Sequence, residues 1–156
     1  MHTSTLQWSC LTFDQLSLLE LYAIMALRQT VFVVEQNCPY LDADGLDLSA
    51  WHVLGKNQEK EIVAYTRILP KGTTYPDYVS IGRVITAPKT RGQGIGRPLM
   101  RQTLHYCKDI FGPSPIKISA QSHLQKFYSS LDFKAIGAEY LEDDIPHRAM
   151  IRPAEI

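Results

Sequence analysis

The segment over residues 80–100, SIGRVITAPKTRGQGIGRPLM, constrains the fold of this chain more than any other part of the sequence. It runs from an apolar, β-branched stretch through a proline into a basic, glycine-rich turn, and then into a pattern that can be helical. Proline lacks an N–H and is tolerated in the first turn of a helix, so Pro98 predicts a helix that begins between Gly94 and Arg97. A strand, a glycine turn and a helix N-terminus in succession present bare backbone N–H groups, which is a common way to bind phosphate.

Three phosphate-binding patterns can be compared with this turn. The dinucleotide fingerprint G-x-G-x-x-G needs a glycine where Arg97 stands and an acidic residue about 20 residues further on, which is missing. The P-loop ends in Gly-Lys-Ser or Gly-Lys-Thr, which does not occur here. The pattern [Q/R]-x-x-G-x-[G/A] fits, with Arg91, Gly94 and Gly96 at its fixed positions. A glycine-rich surface turn without a ligand is the alternative, and the strand, the helix and the flanking arginines argue against it.

The pattern that fits is the acyl-CoA pyrophosphate motif of the GNAT acetyltransferase superfamily, and most of the chain resembles that superfamily. Its resemblance to the ElaA-like acetyltransferases lies in LRQTVFVVEQNCPYLDADGLD (27–47), IGRVI (81–85), AQSHLQKFY (120–128) and YLEDDIPHRAM (140–150). The resemblance implies an α/β fold with a central mixed, mostly antiparallel, twisted sheet, splayed at a bulged fourth strand and covered by helices on both faces. Because it spans nearly the whole chain, we expect a single acetyltransferase domain over residues 1–156.

The same resemblance implies acetyl-CoA as the co-substrate. The residues expected to contact CoA are Val84, Ile85 and Thr86 on the fourth strand, Arg91, Gly92, Gln93, Gly94, Ile95, Gly96 and Arg97 in the turn, and Gln121 and Tyr128 beyond it. Gln121 stands where many relatives carry an asparagine that contacts the pantetheine. Asp132 stands where relatives usually carry glycine, and aspartate tolerates left-handed backbone better than most residues.

The implied chemistry is direct acetyl transfer to a primary amine. In the family, a tyrosine at the position of Tyr128 protonates the leaving thiolate, although the residue alone would be interpreted as a core aromatic. Backbone N–H groups near residues 84–86 are expected to stabilise the developing oxyanion. The ammonium of the acceptor must lose a proton, and Glu35 and His52 are the candidate bases. Each has a structural alternative, since a glutamate that ends a helix is usually solvated and a lone histidine in an apolar strand is usually structural.

Charged residues give two readings of the acceptor. Arg28, Arg67 and Arg83 lie on segments that face the acceptor cleft in the family, which would favour a substrate with a carboxylate or another anion. They can equally form ion pairs with acidic residues, of which Asp42, Asp44 and Asp47 and the run Glu142, Asp143, Asp144 are the candidates. That acidic run precedes His147, the other expected acceptor-site residue, and can instead meet a cationic amine. We expect a small-molecule acceptor, with peptide N-termini and lysine side chains still open.

Composition sets the remaining expectations. The chain has 156 residues, 45% of them hydrophobic, with 16 basic and 16 acidic side chains, so no global field favours nucleic acid or an anionic membrane. No apolar leader or membrane-length apolar run is present, so we expect a cytoplasmic protein. Three scattered cysteines and five histidines without ligand spacing predict neither disulfides nor a metal site. A homodimer formed through a sheet edge is a further expectation. The rival functions are a non-catalytic acyl-CoA sensor and, more remotely, a dinucleotide-dependent oxidoreductase.

Local patterns predict the elements. Thr12 and Gln15 form a capping-box pattern before an apolar run at 16–27, which predicts a first helix, and the family resemblance extends the helical region through 31–34. Apolar runs at 51–54 and 62–69 predict a hairpin, and the run at 79–86 predicts a strand. Gly82 within it can mark a bulge, a close backbone approach or a weak point at a sheet edge, and the family resemblance favours the bulge. A second capping-box pattern predicts that Ser122 begins the helix that carries Tyr128.

Overall fold

A seven-stranded mixed sheet with helices on both faces forms the protein, as seen in a computed structural model that describes residues 5–155. The strands are β1 (Gln7–Thr12), β2 (Trp51–Lys56), β3 (Ile62–Leu69), β4 (Val79–Thr86), β5 (Ile116–Gln121), β6 (Lys134–Glu142) and β7 (Ile145–Arg152). Their order across the sheet is β1-β2-β3-β4-β5-β7-β6. Every neighbouring pair is antiparallel except β4 and β5, which run parallel. The predicted fold class is therefore confirmed.

The two faces of the sheet carry different helices. Helix α1 (Leu18–Arg28) covers β3 and β4 on one face, where Ile24 packs in a cluster with Tyr65 and Ile85. Helices α2 (Gly96–Phe111) and α3 (Gln125–Ser129) lie on the other face, where Leu99 and Met100 of α2 are fully buried in the larger core cluster. Among the described residues, α1 therefore packs on β3 and β4, while the cleft described below is lined by residues of β4, β5 and β7.

The start of the first helix differs from the prediction. Thr12 ends β1 and is followed by one 3-10 turn, in which its N–H donates to Gln15 Oε1 at 3.0 Å. The α-helix begins after a second capping box, in which Ser17 N–H donates to Glu20 Oε1 at 2.8 Å and Ser17 Oγ accepts from Glu20 N–H at 3.0 Å. The capping chemistry was correctly predicted at Thr12, but the chain uses it for a single turn because Thr12 belongs to a strand.

Beyond Arg28 the backbone continues as a π-helical segment, Gln29–Glu35. The β-branched run at 31–34 is therefore helical, as the resemblance implied. A π-helix widens the turn and occurs mostly in short segments, often at functional sites. Val31 is buried against the sheet, whereas Glu35 at the end of the segment is exposed.

The prediction that Ser122 begins the helix that carries Tyr128 is wrong. Ser122 opens a 3-10 turn, and α3 begins only at Gln125, without a side-chain cap. Ser122 Oγ is buried and has no hydrogen-bond partner in the part of the chain that the structure describes. The N-cap position of that turn is Gln121, with φ of −59° and ψ of 132°, so Ser122 is already inside the turn and its side chain does not cap it. Asp132 does take up left-handed backbone, with φ of 71°.

Candidate functional site

The parallel strands β4 and β5 separate soon after they meet. They pair only through Val79 with Ile116 and Ser80 with Lys117, after which β4 continues beside β3 and β5 continues beside β7. A cleft of about 860 Å³ lies around this opening and extends under the segment at 31–44. Its volume is in the range of small-molecule and cofactor sites.

A bulge in β4 accompanies the opening. Tyr65 of β3 pairs with Ile85, but Arg67, two residues on, pairs with Gly82, so β4 has one residue too many. The bulge was predicted at Gly82, and the strained residue is its neighbour Arg83, with φ of +51°. Bulges re-aim side chains and end strand pairing. Here Val84, Ile85 and Thr86, which follow the bulge, all line the cleft.

The glycine turn lies between the end of β4 and the start of α2. Gly92 and Gly94 have φ of +82° and +71°, and a Cβ built at either position meets no heavy atom within 4 Å. Among residues 5–155, the N–H groups of Gly92, Gly94 and Ile95 donate to no backbone carbonyl. The first N–H groups of α2 at Gly96 and Arg97 lack intrahelical partners by geometry. The turn therefore offers open space and unpaired donors, which suit a pyrophosphate.

Two arginines flank the turn, and each already has a contact. Arg91 lines the cleft, and its Nη2 lies 2.6 Å from Glu35 Oε1, with both side chains roughly half exposed. The guanidinium of Arg97 lies over the ring of Phe127, 5.6 Å from its centroid. The candidate base Glu35 and the candidate phosphate ligand Arg91 are thus ion-pair partners across the mouth of the cleft.

Tyr128 lies where the cleft meets the core. Its ring is buried between Phe127 and Phe133, with edge contacts at centroid distances of 5.1 and 5.9 Å, and the residue lines the cleft. No hydrogen bond to its hydroxyl is formed within the described residues. Burial raises the pKa of Tyr128 to about 12, so the hydroxyl is protonated at neutral pH. A proton donor without a protein partner is therefore available in the cleft.

His147 and Gln121 lie side by side in the part of the cleft wall formed by β5 and β7. Gln121 of β5 pairs in register with His147 of β7, and both line the cleft. His147 Nδ1 lies 2.7 Å from the carbonyl of Ile145, and Nε2 lies 3.2 Å from Glu142 Oε2. Because a carbonyl can only accept, the proton on Nδ1 is assigned by this contact. The ring also stacks on Tyr140, at a centroid distance of 6.2 Å.

The three arginines predicted to bind the acceptor are engaged in ion pairs. Arg28 is fully buried and outside the cleft lining; its Nε and Nη1 donate to Asp42 Oδ2 and Asp47 Oδ1, both at 2.6 Å. Arg67 and Arg83 line the cleft, but Asp44 accepts from both. The ion-pair alternative is therefore the one that the structure contains, because the segment at 42–47 folds back over the sheet and brings its carboxylates to the guanidinium groups.

His52 does not reach the cleft. It is 1% exposed; its Nδ1 lies 2.6 Å from Tyr65 Oη and its Nε2 lies 3.0 Å from the carbonyl of Asp47. Burial lowers the pKa of His52 below its ordinary value. With both nitrogens engaged and no cleft contact, His52 serves as a buried connector of β2, β3 and the segment at 42–47, so we no longer consider it as the base.

Lys117 is a cleft residue that sequence reasoning did not identify. Its Nζ lies 4.6 Å from the ring centroid of Tyr75 and 5.8 Å from that of Tyr78. The residue stands in β5 and pairs with Ser80, so it is part of the two-residue junction with β4. No motif marks it, and only the strand register places it in the cleft.

No helix among residues 5–155 is long and apolar enough to cross a membrane. Within the same residues, no three histidine, cysteine, aspartate or glutamate side chains are grouped so that they could hold a metal ion.

Comparisons with known proteins agree with this geometry. A family model described as an acetyltransferase (GNAT) domain matches residues 43–152. Protein ElaA of Escherichia coli (strain K12) is 45% identical over 149 residues, which cover 94% of this chain and 96% of ElaA. The crystal structure of Escherichia coli ElaA matches with a TM-score of 0.88 at 44% identity, covering 95% of this chain and 99% of that chain.

Two other solved structures have related folds. An acyl-CoA N-acyltransferase from Pseudomonas aeruginosa matches with a TM-score of 0.90 at 42% identity, covering 95% of this chain and 99% of that chain. An aminoglycoside 6′-N-acetyltransferase, complexed with coenzyme A, has a TM-score of 0.69 at 15% identity, covering 93% of this chain and 96% of that chain, which is a likeness of fold alone.

Proposed function

Because this chain belongs to the GNAT acetyltransferase family and is similar to ElaA, we propose that it transfers the acetyl group of acetyl-CoA directly to a primary amine. The observation that carries the proposal is the opening between β4 and β5, with Tyr128 and Arg91 in the lining of its cleft; the rest of the glycine turn follows Arg91 along the chain and lies outside that lining. The acceptor is proposed to be a small molecule, since neither the net charge nor the length of the chain suggests a dedicated surface for docking a protein. We also propose that the protein is located in the cytoplasm and that it forms a homodimer.

The glycine turn is proposed to bind the pyrophosphate of CoA. Gly92 and Gly94 keep space open above unpaired N–H groups, while Arg91 and Arg97 add positive charge on either side. Gln93, Ile95 and Gly96 complete the turn, and Val84, Ile85, Thr86 and Gln121 are proposed to line the path of the pantetheine. Acetyl-CoA supplies a thioester whose carbonyl is open to attack by an amine. The residues present fit this group, because the backbone donors and cations match its phosphate charge.

Residues of the cleft then handle the protons. The unpaired edge of β4 after the bulge is proposed to donate a backbone N–H to the developing oxyanion. Tyr128 is proposed to protonate the leaving sulfur, since a pKa of about 12 keeps its hydroxyl protonated at neutral pH and no partner among the described residues occupies that hydroxyl. Glu35 is proposed to accept the proton of the amine, directly or through water, once Arg91 has exchanged it for phosphate. No covalent intermediate with the protein is needed.

Titration calorimetry with acetyl-CoA, with NADH as the control ligand, tests the cofactor part. Thiol release against a panel of amines on the same sample tests turnover. Binding of acetyl-CoA together with amine-dependent release of CoA is the expected result. Binding without release for any amine would favour the non-catalytic acyl-CoA sensor, and absence of binding would contradict the proposal as a whole.

A further inference from the structure

The charges that line the cleft leave one cation without a counter-ion. Four basic side chains line it: Arg67, Arg83, Arg91 and Lys117. The three arginines have carboxylate partners, Asp44 for Arg67 and Arg83, and Glu35 for Arg91. Within residues 5–155, no carboxylate forms an ion pair with Lys117, whose ammonium contacts only aromatic faces. An aromatic face attracts a cation but does not neutralise it.

One carboxylate of the lining is unpaired as well. Glu35 and Asp44 pair with arginines, and Glu142 lies 3.2 Å from Nε2 of His147, a ring that is charged only when protonated, whereas Asp143 forms no ion pair within the described part of the chain. Lys117 and Asp143 are therefore the two charged groups of the lining that have no ion-pair contact among residues 5–155. A ligand that carries both charges would match them.

Strand register places these two charges at opposite ends of the cleft. Lys117 pairs with Ile151 at one end of β7, while Asp143 lies in the turn beyond the pair of Glu142 and Ile145 at the other end. Gln121 lies at the Asp143 end of β5, four residues from Lys117 and on the same face, or about 13 Å away at the usual strand rise. Tyr128 follows Gln121 through the short turn into α3, so the proposed reaction centre is at the Asp143 end.

We propose that the acceptor is an amine that also carries a carboxylate, on the order of 10 Å from its nitrogen, and that Lys117 binds this carboxylate. The inference rests on the proposed function and names its substrate class. The amine end lies toward Asp143 and Tyr128, and the carboxylate end lies toward the junction of β4 and β5. A monoanion matches the single unpaired ammonium, whereas a phosphate dianion would bring a surplus negative charge.

The test uses ω-aminoalkanoates of increasing chain length, each compared with its uncharged ω-aminoalkanamide, and thiol release is measured with acetyl-CoA in excess. The wild-type protein should prefer the acid over the amide roughly tenfold or more in kcat/KM, with the largest ratio at one chain length. Lys117→Gln should remove the preference, and Lys117→Glu should reverse it in favour of diamines. Lys71→Gln is the matched control, since Lys71 is exposed and lies outside the cleft lining.

The outcomes separate this inference from the function on which it rests. Equal rates for acid and amide in the wild-type protein, or a preference that survives in Lys117→Gln, would overturn the inference while leaving acetyl transfer intact. Faster turnover of an ω-aminoalkyl phosphate than of the matching acid would overturn the choice of carboxylate. If no amine is turned over, the proposed function fails, and calorimetry of the acids and amides with the CoA complex decides the inference by itself. Reversal by Lys117→Glu cannot result from unfolding, because it requires a working site.

Discussion

Tyr128 has a ring that is packed in the core, and the same residue lines the cleft. Phe127 and Phe133 hold the ring on two sides, so the orientation of the side chain is fixed by packing rather than by a hydrogen bond. A proton donor held in this way does not have to exchange one protein partner for another during the reaction. Burial raises the pKa of Tyr128 to about 12, so the hydroxyl is protonated at neutral pH before the thiolate leaves.

Tyr128→Phe should lower kcat by about 10²- to 10⁴-fold, the usual contribution of a general acid, and leave the Kd for acetyl-CoA nearly unchanged. The ring contacts remain, so the free energy of unfolding should change by about 1 kcal/mol or less. Steady-state thiol release, calorimetry and urea denaturation measure the three quantities. Tyr106→Phe, in α2 and outside the cleft lining, is the control. An unchanged kcat in Tyr128→Phe would return Tyr128 to a purely structural role.

The ion pair of Glu35 and Arg91 makes opposite predictions for its two partners. Glu35→Gln should free Arg91 for phosphate and tighten binding of acetyl-CoA by up to about fivefold, because a half-exposed pair contributes only about 0.2–1 kcal/mol. Arg91→Ala should weaken the same binding by roughly 1–3 kcal/mol. Calorimetry measures both, and kcat of Glu35→Gln should fall if Glu35 is the base. Weaker binding in Glu35→Gln would show that the two residues do not compete in this way.

The glycine turn shows how an element can depend on backbone geometry alone. Gly94→Glu should abolish binding of acetyl-CoA, because it fills the open space and places a negative charge beside phosphate. The same substitution at Gly72 is a matched control, since Gly72 also has positive φ, at +88°, and open space around it. Both variants carry a backbone penalty of about 1–2 kcal/mol. If only Gly94→Glu loses binding, the loss comes from blocked contact with acetyl-CoA and not from backbone strain. Equal affinities in the two variants would rule out the turn as the phosphate site.

The segment at 42–47 is held to the rest of the molecule by charge. Arg28 reaches it from α1, Arg67 from β3 and Arg83 from β4. Burial acts to raise the pKa of Asp47, but hydrogen bonds and charges from Arg28 and Arg67 outweigh it and keep that pKa below its ordinary value. A carboxyl with a lowered folded-state pKa contributes stability above its ordinary pKa of 3.8, and the contribution is lost as the pH falls toward the folded-state value.

Arg28→Met should cost about 3–5 kcal/mol of unfolding free energy, since it leaves Asp42 and Asp47 without their most buried partner. Urea denaturation at neutral pH measures the loss. At a pH below 3.8 the difference between variant and wild type should shrink, because Asp47 becomes protonated and no longer needs a counter-ion. A pH-independent difference would instead assign the loss to packing.

At the scale of the whole molecule, the sequence predicted the sheet better than the site. The hairpin of β2 and β3 and the strand β4 follow from apolar runs and turn residues, which act locally. Strand β1 was missed, because its pattern gains meaning only from pairing with β2, some 40 residues away along the chain. The glycine turn could be predicted because glycine, which lacks a Cβ, is the residue type that adopts positive φ most readily, as Gly92 and Gly94 do.

The charged part of the site could not be predicted in the same way. Three arginines and several acidic residues allow many pairings, and only the path of the segment at 42–47 selects Asp42, Asp44 and Asp47. His52 pairs in register with the cleft residue Arg67, but its ring is buried by contacts with Tyr65 and the carbonyl of Asp47, which the sequence does not reveal. No sequence motif marks Lys117. It stands out only because the three arginines of the cleft lining have carboxylate partners, whereas Lys117 has none among the described residues.

Binding of acetyl-CoA should tie together the two parts of the sheet on either side of the opening. At a ligand concentration of about 100 times Kd, the free energy of unfolding should rise by about 2.7 kcal/mol, with a matching increase in Tm. Amide hydrogen exchange should slow most at residues 81–86, 92–97 and 118–121, and little in the hairpin of β6 and β7. Uniform slowing over the whole chain would mean that the ligand does not bind in the opening.

The two-residue junction of β4 and β5 also bears on the order of folding. Strands β1 to β4 lie side by side in chain order, and β5, β6 and β7 form a second group of their own, so each group can assemble from neighbouring chain segments. Only Val79 and Ser80, meeting Ile116 and Lys117, join the groups by strand pairing. We expect the junction of β4 and β5 to form last as the chain folds. We also expect it to separate first when the protein is unfolded by mechanical force.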